Sequence, residues 1–91
     1  MKWYVYILEC NDGSYYTGIA RNLKERVKRH NTGRGAVYTK KRKPVVLRFV
    51  EEYSMRREAK YREENIKKLG VNGKRELIRW GDRERFPSLL A

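Results

Sequence analysis

Three stretches of this chain alternate with the period of two that marks a half-buried strand, and three repeat with the longer period of a helix. Residues 2–10 (KWYVYILEC) are aromatic and β-branched and predict a first strand. Asn11-Asp12-Gly13 is a hairpin turn signal, and Ser14–Ala20 predicts the return strand. Asn22 and Glu25 have the spacing of a capping box, with Asn22 as N-cap and Glu25 at N3, opening a helix to about Asn31. Gly33 and Gly35 end it, and a basic loop runs to Lys43-Pro44. Val45–Tyr53 (VVLRFVEEY) predicts a third strand. Ser54 is the expected cap of a helix reaching Leu69, which Gly70 terminates, and Asn72 the expected cap of a last helix through about Trp80. The fold class predicted is α+β: a small three-stranded antiparallel sheet flanked by helices, in the order β-β-α-β-α-α. Residues 1–80 form one domain in this reading, and 81–91 an irregular C-terminal tail.

The hairpin pattern also predicts a register. Side chains alternate across a strand, so Tyr4, Tyr6 and Leu8 share a face. A two-residue Asp-Gly loop would put Tyr16 on the opposite face from Tyr6. A three-residue loop with Gly13 in the left-handed conformation pairs Tyr6 with Gly18 and Leu8 with Tyr16, so that both tyrosines point the same way. Gly18 opposite Tyr6 leaves space over the phenol. Tyrosine is common in sheets for packing reasons alone, so the first helix matters. At about 100° per residue, Leu23 and Val27 mark its buried stripe. Arg26 and His30 fall on that stripe, about 40° apart, while Lys24, Lys28 and Arg29 point outward. An arginine and a histidine facing inward are costly unless they are paired or functional. Phenols, a guanidinium and an imidazole converging at one sheet edge are the groups that phosphodiester cleavage requires.

On the second long helix, Met55, Ala59, Ile66 and Leu69 define an apolar face. Glu58 and Glu63 sit at its two edges, and Glu64 lies nearly opposite, in solvent. One edge carboxylate suffices for Mg²⁺, which keeps several waters and accepts substrate phosphate as a ligand. Geometry alone leaves both glutamates as choices.

Charge then names the class of partner. The chain has 91 residues, a formal net charge of +12 and 40% hydrophobic residues, enough for one modest core. Such a charge implies a polyanion, with nucleic acid first and an acidic membrane surface second. Between Arg21 and Arg48 there are eleven Lys/Arg residues against one acid, Glu25. Lys28, Arg34, Lys40, Lys41, Arg42 and Lys43 are the expected nucleic-acid contacts, following the phosphate backbone rather than base edges. Cys10 is the only cysteine, which excludes an intrachain disulfide and a cysteine-based zinc site. The apolar run Trp3–Leu8 is too short for a signal segment or a membrane span, and a cytoplasmic location is expected.

Several of these pieces occur together in one known family. Tyr4-Val5-Tyr6, Tyr16-Thr17-Gly18, Asn22-Leu23 with Arg26 and His30, and Glu58-Ala59 with Glu63 and Ile66–Leu69 follow the motif order of the GIY-YIG nuclease domain. The chain resembles its short stand-alone bacterial and archaeal type over nearly residues 3–80. Tyr4 stands where the first motif has glycine, and Thr17 where the second has isoleucine. The resemblance implies Tyr6, Tyr16, Arg26 and His30 as catalytic residues and Glu63, rather than Glu58, as ligand of Mg²⁺ or Mn²⁺. It implies a metal-dependent endonuclease acting on DNA, with branched, damaged or flapped structures as expected substrates. A separate protein partner is expected to supply substrate specificity, since larger relatives append a DNA-binding domain. The alternative is a non-catalytic nucleic-acid-binding module on the same scaffold, and a weaker one a basic protein–protein adaptor.

Overall fold

The computed structural model describes residues 2–81. Its elements are β1 (Trp3–Glu9), β2 (Tyr15–Ala20), α1 (Leu23–Asn31), α2 (Val37–Lys40), β3 (Val46–Tyr53), α3 (Arg56–Lys67) and α4 (Val71–Trp80). The strands form one antiparallel sheet in the order β2-β1-β3. An α+β domain with a three-stranded sheet and flanking helices is therefore what the chain forms.

Of the two loop lengths open in the sequence, the hairpin closes through the three-residue one. Gly13 adopts φ 84°, and its N–H donates to the Cys10 carbonyl at 3.0 Å. Tyr6 consequently pairs with Gly18, and Leu8 with Tyr16. The β1–β3 register shifts between Ile7 and Leu8, which face Phe49 and Leu47 respectively. That bulge leaves Arg48 outside the pairing and lets its guanidinium reach Glu9 at 2.8 Å.

Each sheet face buries its own cluster. Tyr6, Leu8, Cys10, Ala20, Val45, Leu47 and Val50 pack with Leu23 of α1. Val5, Ile7 and Phe49 pack on the other face with Ala59 and Ile66 of α3 and Ile78 of α4. The pleat thus puts the two tyrosines under α1. Thr17, at the isoleucine position of the second motif, is buried, and its hydroxyl has no hydrogen-bond partner among the described residues.

Several predicted boundaries move. Asn22 does cap α1, its side-chain oxygen accepting from the Glu25 N–H at 3.1 Å. The expected basic loop contains the one-turn helix α2. Met55, not Ser54, occupies the N-cap of α3, and the Glu58 carboxylate accepts from its N–H at 3.2 Å. That helix ends at Lys67 rather than Leu69, and Met55 and Leu69 are exposed at its two ends instead of sharing a buried face. Gly70 caps α4, so Asn72 lies inside the first turn. The predicted tail lies outside the described residues from residue 82 onward.

Candidate active site

The site is assembled from β1, β2 and α1. The Tyr6 and Tyr16 ring centroids lie 6.4 Å apart on the α1 face of the hairpin. Gly18 makes room for them: a Cβ there would stand 2.6 Å from the Tyr6 hydroxyl oxygen and 2.8 Å from Cζ. The inward stripe of α1 brings His30 over the pair. Its Nε2 lies 3.0 Å from Tyr6 Oη, and its ring centroid 5.0 Å from that of Tyr16. Tyr6 and His30 are each only 1% exposed. Arg26, half-buried one turn earlier, donates from Nη1 to the Ile19 carbonyl at 3.4 Å. The four residues expected on one face are therefore neighbours.

Burial and charge set their protonation. Burial, with the neighbouring Tyr16, pushes the Tyr6 phenol well above its ordinary range, and the Arg26 guanidinium opposes that rise. Burial also raises Tyr16, as does the charge of Glu63, while Arg26 and Lys60 pull it down. His30 moves the other way. Burial and the cationic Arg26 and Arg29 lower it from 6.5 to about 4, so its imidazole is neutral at pH 7. A neutral imidazole against a protonated phenol is a proton acceptor placed at a donor.

Glu63 lies on the inward side of α3 and is 5% exposed. Lys60 Nζ approaches its Oε1 at 2.8 Å, and Lys67 Nζ its Oε2 at 3.5 Å. Its charge reaches both phenols. Glu58 is exposed and occupied as a helix cap, and Glu64 is exposed. Among the described residues no group of three or more acidic, histidine or cysteine side chains could hold a metal. One buried carboxylate fits an ion that keeps its waters and takes phosphate oxygens, as Mg²⁺ does. It does not fit one that needs an all-protein cage. An ion of the Mg²⁺ kind would take the place of Lys60 and Lys67 at the carboxylate.

Cations frame the opening. A cavity of ≈ 330 Å³ is lined by Tyr16, Arg26, Arg29, His30 and Arg34. A second, of ≈ 250 Å³, is lined by Trp3, Arg21, Asn22 and Glu25 and shares Arg26 and Arg29 with the first. The two make one basic groove along α1. Lys28 lines a third, adjoining hollow with Arg29 and Arg34. Lys40, Lys41 and Lys43 are exposed but line none of these. Arg42 is bound within the protein: its Nε donates to Asp12 at 3.0 Å and its Nη1 to the Tyr38 carbonyl at 2.8 Å, with the guanidinium 4.0 Å over the Tyr38 ring.

Sequence reasoning missed Arg29, which points outward and is exposed, as the helical wheel has it, yet lines the cavity beside Tyr16 and His30. It also missed Tyr38, whose ring stacks on Tyr16 at 6.2 Å, and Thr39, which touches His30. No periodicity marks either residue, because α2 is a single turn.

The family model of the GIY-YIG catalytic domain matches residues 2–75, and the chain belongs to that family. Its similarity within the family runs to UPF0213 proteins. One from Clostridium perfringens is 53% identical over 75 residues, spanning 82% of this chain and 81% of that protein. Another, from Staphylococcus epidermidis, is 48% identical over 80 residues, spanning 88% and 98%. The solution structure of a UPF0213 protein from Bacillus halodurans superposes with TM-score 0.56 at 41% identity, covering 86% of this chain and 83% of that one. That of an E. faecalis protein gives 0.60 at 36%, covering 87% and 84%. The domain is thus of a nuclease type, and the substrate class it implies is nucleic acid. No described helix is long and apolar enough to cross a membrane.

Proposed function

We propose that this protein is a metal-dependent endonuclease that hydrolyses phosphodiester bonds in DNA. The observation that carries the reading is the buried 3.0 Å Tyr6–His30 hydrogen bond beside an arginine-lined cavity. Free tyrosine is ionised only about one part in a thousand at pH 7, and burial lowers that fraction further. His30 is placed to accept the phenolic proton as it leaves; both shifts oppose that transfer, and the Arg26 guanidinium, which pulls the phenol down, steadies the phenolate. Tyr6, behind the Tyr16 and His30 that line the cavity, then takes a proton from the attacking water, which goes on to phosphorus. Tyr16 in the cavity wall contacts the phosphate, and Arg26 and Arg29 clamp its oxygens. Glu63 is the residue that would hold Mg²⁺ or Mn²⁺, and a divalent cation there supplies Lewis-acid polarisation of the phosphate and stabilises the leaving oxygen. The groove along α1, with Lys28 and Arg34 at its rim, follows the backbone. Branched or flapped DNA suits a protein with no base-reading element among its described residues, and specificity then comes from a partner. Residues 1–80 act as the one catalytic domain in this reading.

One observation favours a non-catalytic nucleic-acid-binding module instead: Lys60 and Lys67 already neutralise Glu63. Nicking of plasmid and branched DNA in Mg²⁺ by Tyr6→Phe and Tyr16→Phe separates the two readings. A nuclease loses cleavage in Tyr6→Phe with binding intact, and loses both rate and affinity in Tyr16→Phe. A binding module cleaves in neither variant nor in the parent.

A further inference from the structure

His30 is the only histidine in the chain, and both of its ring nitrogens are engaged. Nε2 faces Tyr6 Oη at 3.0 Å, and Nδ1 faces Thr39 Oγ1 at 2.7 Å. Thr39 is wholly buried, and its hydroxyl lies 3.0 Å from the Ala36 carbonyl oxygen, an atom that can only accept. A hydroxyl has one proton to give. Given to Ala36, it leaves only lone pairs toward the imidazole, so the proton of the Nδ1–Thr39 bond belongs to Nδ1. The lone pair of the neutral ring is then on Nε2, directed at Tyr6.

We propose that Thr39 is a positioning residue that holds His30 as the Nδ1–H tautomer, so that Nε2 can accept the Tyr6 proton. Two features reinforce this. Gly35 packs flat against the ring: a Cβ there would overlap Nδ1 and stand 2.7 Å from Cγ, so the imidazole cannot swing toward the loop. The charged groups around it are Arg26 and Arg29 on its own helix, with Tyr6 of β1 and Tyr16 of β2 as the titratable neighbours and Arg34 across the cavity. None is a carboxylate able to take the Nδ1 proton in Thr39's place. When the proton moves, the Tyr6 O–H bond breaks, an Nε2–H bond forms and negative charge stays on the phenol oxygen. Nδ1–H remains donated to Thr39 throughout, so no ring rotation accompanies the transfer. This is the orienting role that a carboxylate or backbone carbonyl plays for other catalytic histidines. Here a hydroxyl plays it, backed by a helix carbonyl.

The tautomer is a property of the fold; its effect on rate rests on the nuclease reading. Long-range ¹H–¹⁵N correlation of uniformly labelled protein at pH 7 shows one imidazole, because there is one histidine. Protonated Nδ1 and unprotonated Nε2 are expected. In Thr39→Val, which keeps the shape and removes the acceptor, the spectrum shifts toward the Nε2–H form; Thr39→Ser retains the parent pattern. Cleavage falls about tenfold in Thr39→Val, the loss expected for one well-placed hydrogen bond, with DNA affinity unchanged and Thr39→Ser close to parent. An Nε2–H parent spectrum, or an unshifted Thr39→Val spectrum, overturns the proposal. The parent spectrum decides even if Thr39→Val does not fold. A parent that shows Nδ1–H but never cleaves DNA refutes the nuclease reading and leaves the tautomer assignment standing.

Discussion

Gly18→Ala sets two physical effects of opposite sign against each other. By propensity alone, alanine in a strand interior is favoured over glycine by roughly 0.5–1 kcal/mol, and Gly18 has no positive φ that would forbid it. Packing points the other way. The new Cβ would stand 2.6 Å from Tyr6 Oη, 2.8 Å from its Cζ and 3.2 Å from Tyr16 Cε2. The obstructing ring is 1% exposed and hydrogen-bonded to His30, so it cannot swing into solvent. Overpacking of this kind costs about 1–3 kcal/mol, and loosening the Tyr6–His30 bond about 1 kcal/mol more. Net destabilisation of about 2 kcal/mol is expected, which in a domain of this size lowers Tm by roughly 8–16 °C. Thermal unfolding followed by circular dichroism at pH 7 reads it directly. A Tm equal to or above the parent's would mean that Tyr6 moves freely, and that Gly18 does not determine where the phenol sits.

Two further outcomes follow from the charges. The folded pKa of His30 is depressed, from 6.5 to about 4, so protons bind more readily to the unfolded chain. Stability is therefore fully present above about pH 6.5 and is lost as pH falls toward 4, by at most about 3 kcal/mol. Guanidinium midpoints across that window should fall in the parent and stay flatter in His30→Gln; a parent midpoint that rises on acidification contradicts the assignment. Binding to duplex DNA should lose affinity with salt at about 0.9 per phosphate contacted, in log–log form. Replacing Arg29 and Arg34 together should reduce that slope by about two, whereas Arg42→Ala, already tied to Asp12, should leave it unchanged. Equal slopes for all three proteins would place the footprint elsewhere.

The parts of the fold that were legible rest on strong local signals. The Asn11-Asp12-Gly13 turn was legible, but its residues allow both a two- and a three-residue loop; Gly13 at φ 84° and the Tyr6–Gly18 pairing settle the longer one, and with it the tyrosine face. Asn22 and the 100° spacing brought Arg26 and His30 inward. What stayed hidden depends on contacts distant in sequence. Thr39 is buried by the packing of one isolated turn under α1, which leaves no periodic trace. Arg42 reads as a free cation in the sequence, but Asp12, thirty residues away, holds it. Lys60 and Lys67 are at ordinary i+3 and i+4 positions around Glu63, yet only the burial of that carboxylate makes them competitors for a metal. The Thr17 hydroxyl, buried without a hydrogen-bond partner among the described residues, is a local cost that the isoleucine of the family motif would not carry.

On the proposed reading Glu63, and not its neighbour Glu64, holds the cation on which cleavage depends. Cleavage of plasmid and branched DNA in Mg²⁺ and Mn²⁺, measured beside DNA affinity for the parent, Glu63→Gln and Glu64→Gln, tests it most directly. The account predicts cleavage by the parent and by Glu64→Gln, with none by Glu63→Gln. Affinity should be level or higher in Glu63→Gln, because a carboxylate near phosphate repels it when no cation intervenes. Equal cleavage by the parent and Glu63→Gln, or none by the parent on any substrate with either ion, would contradict it.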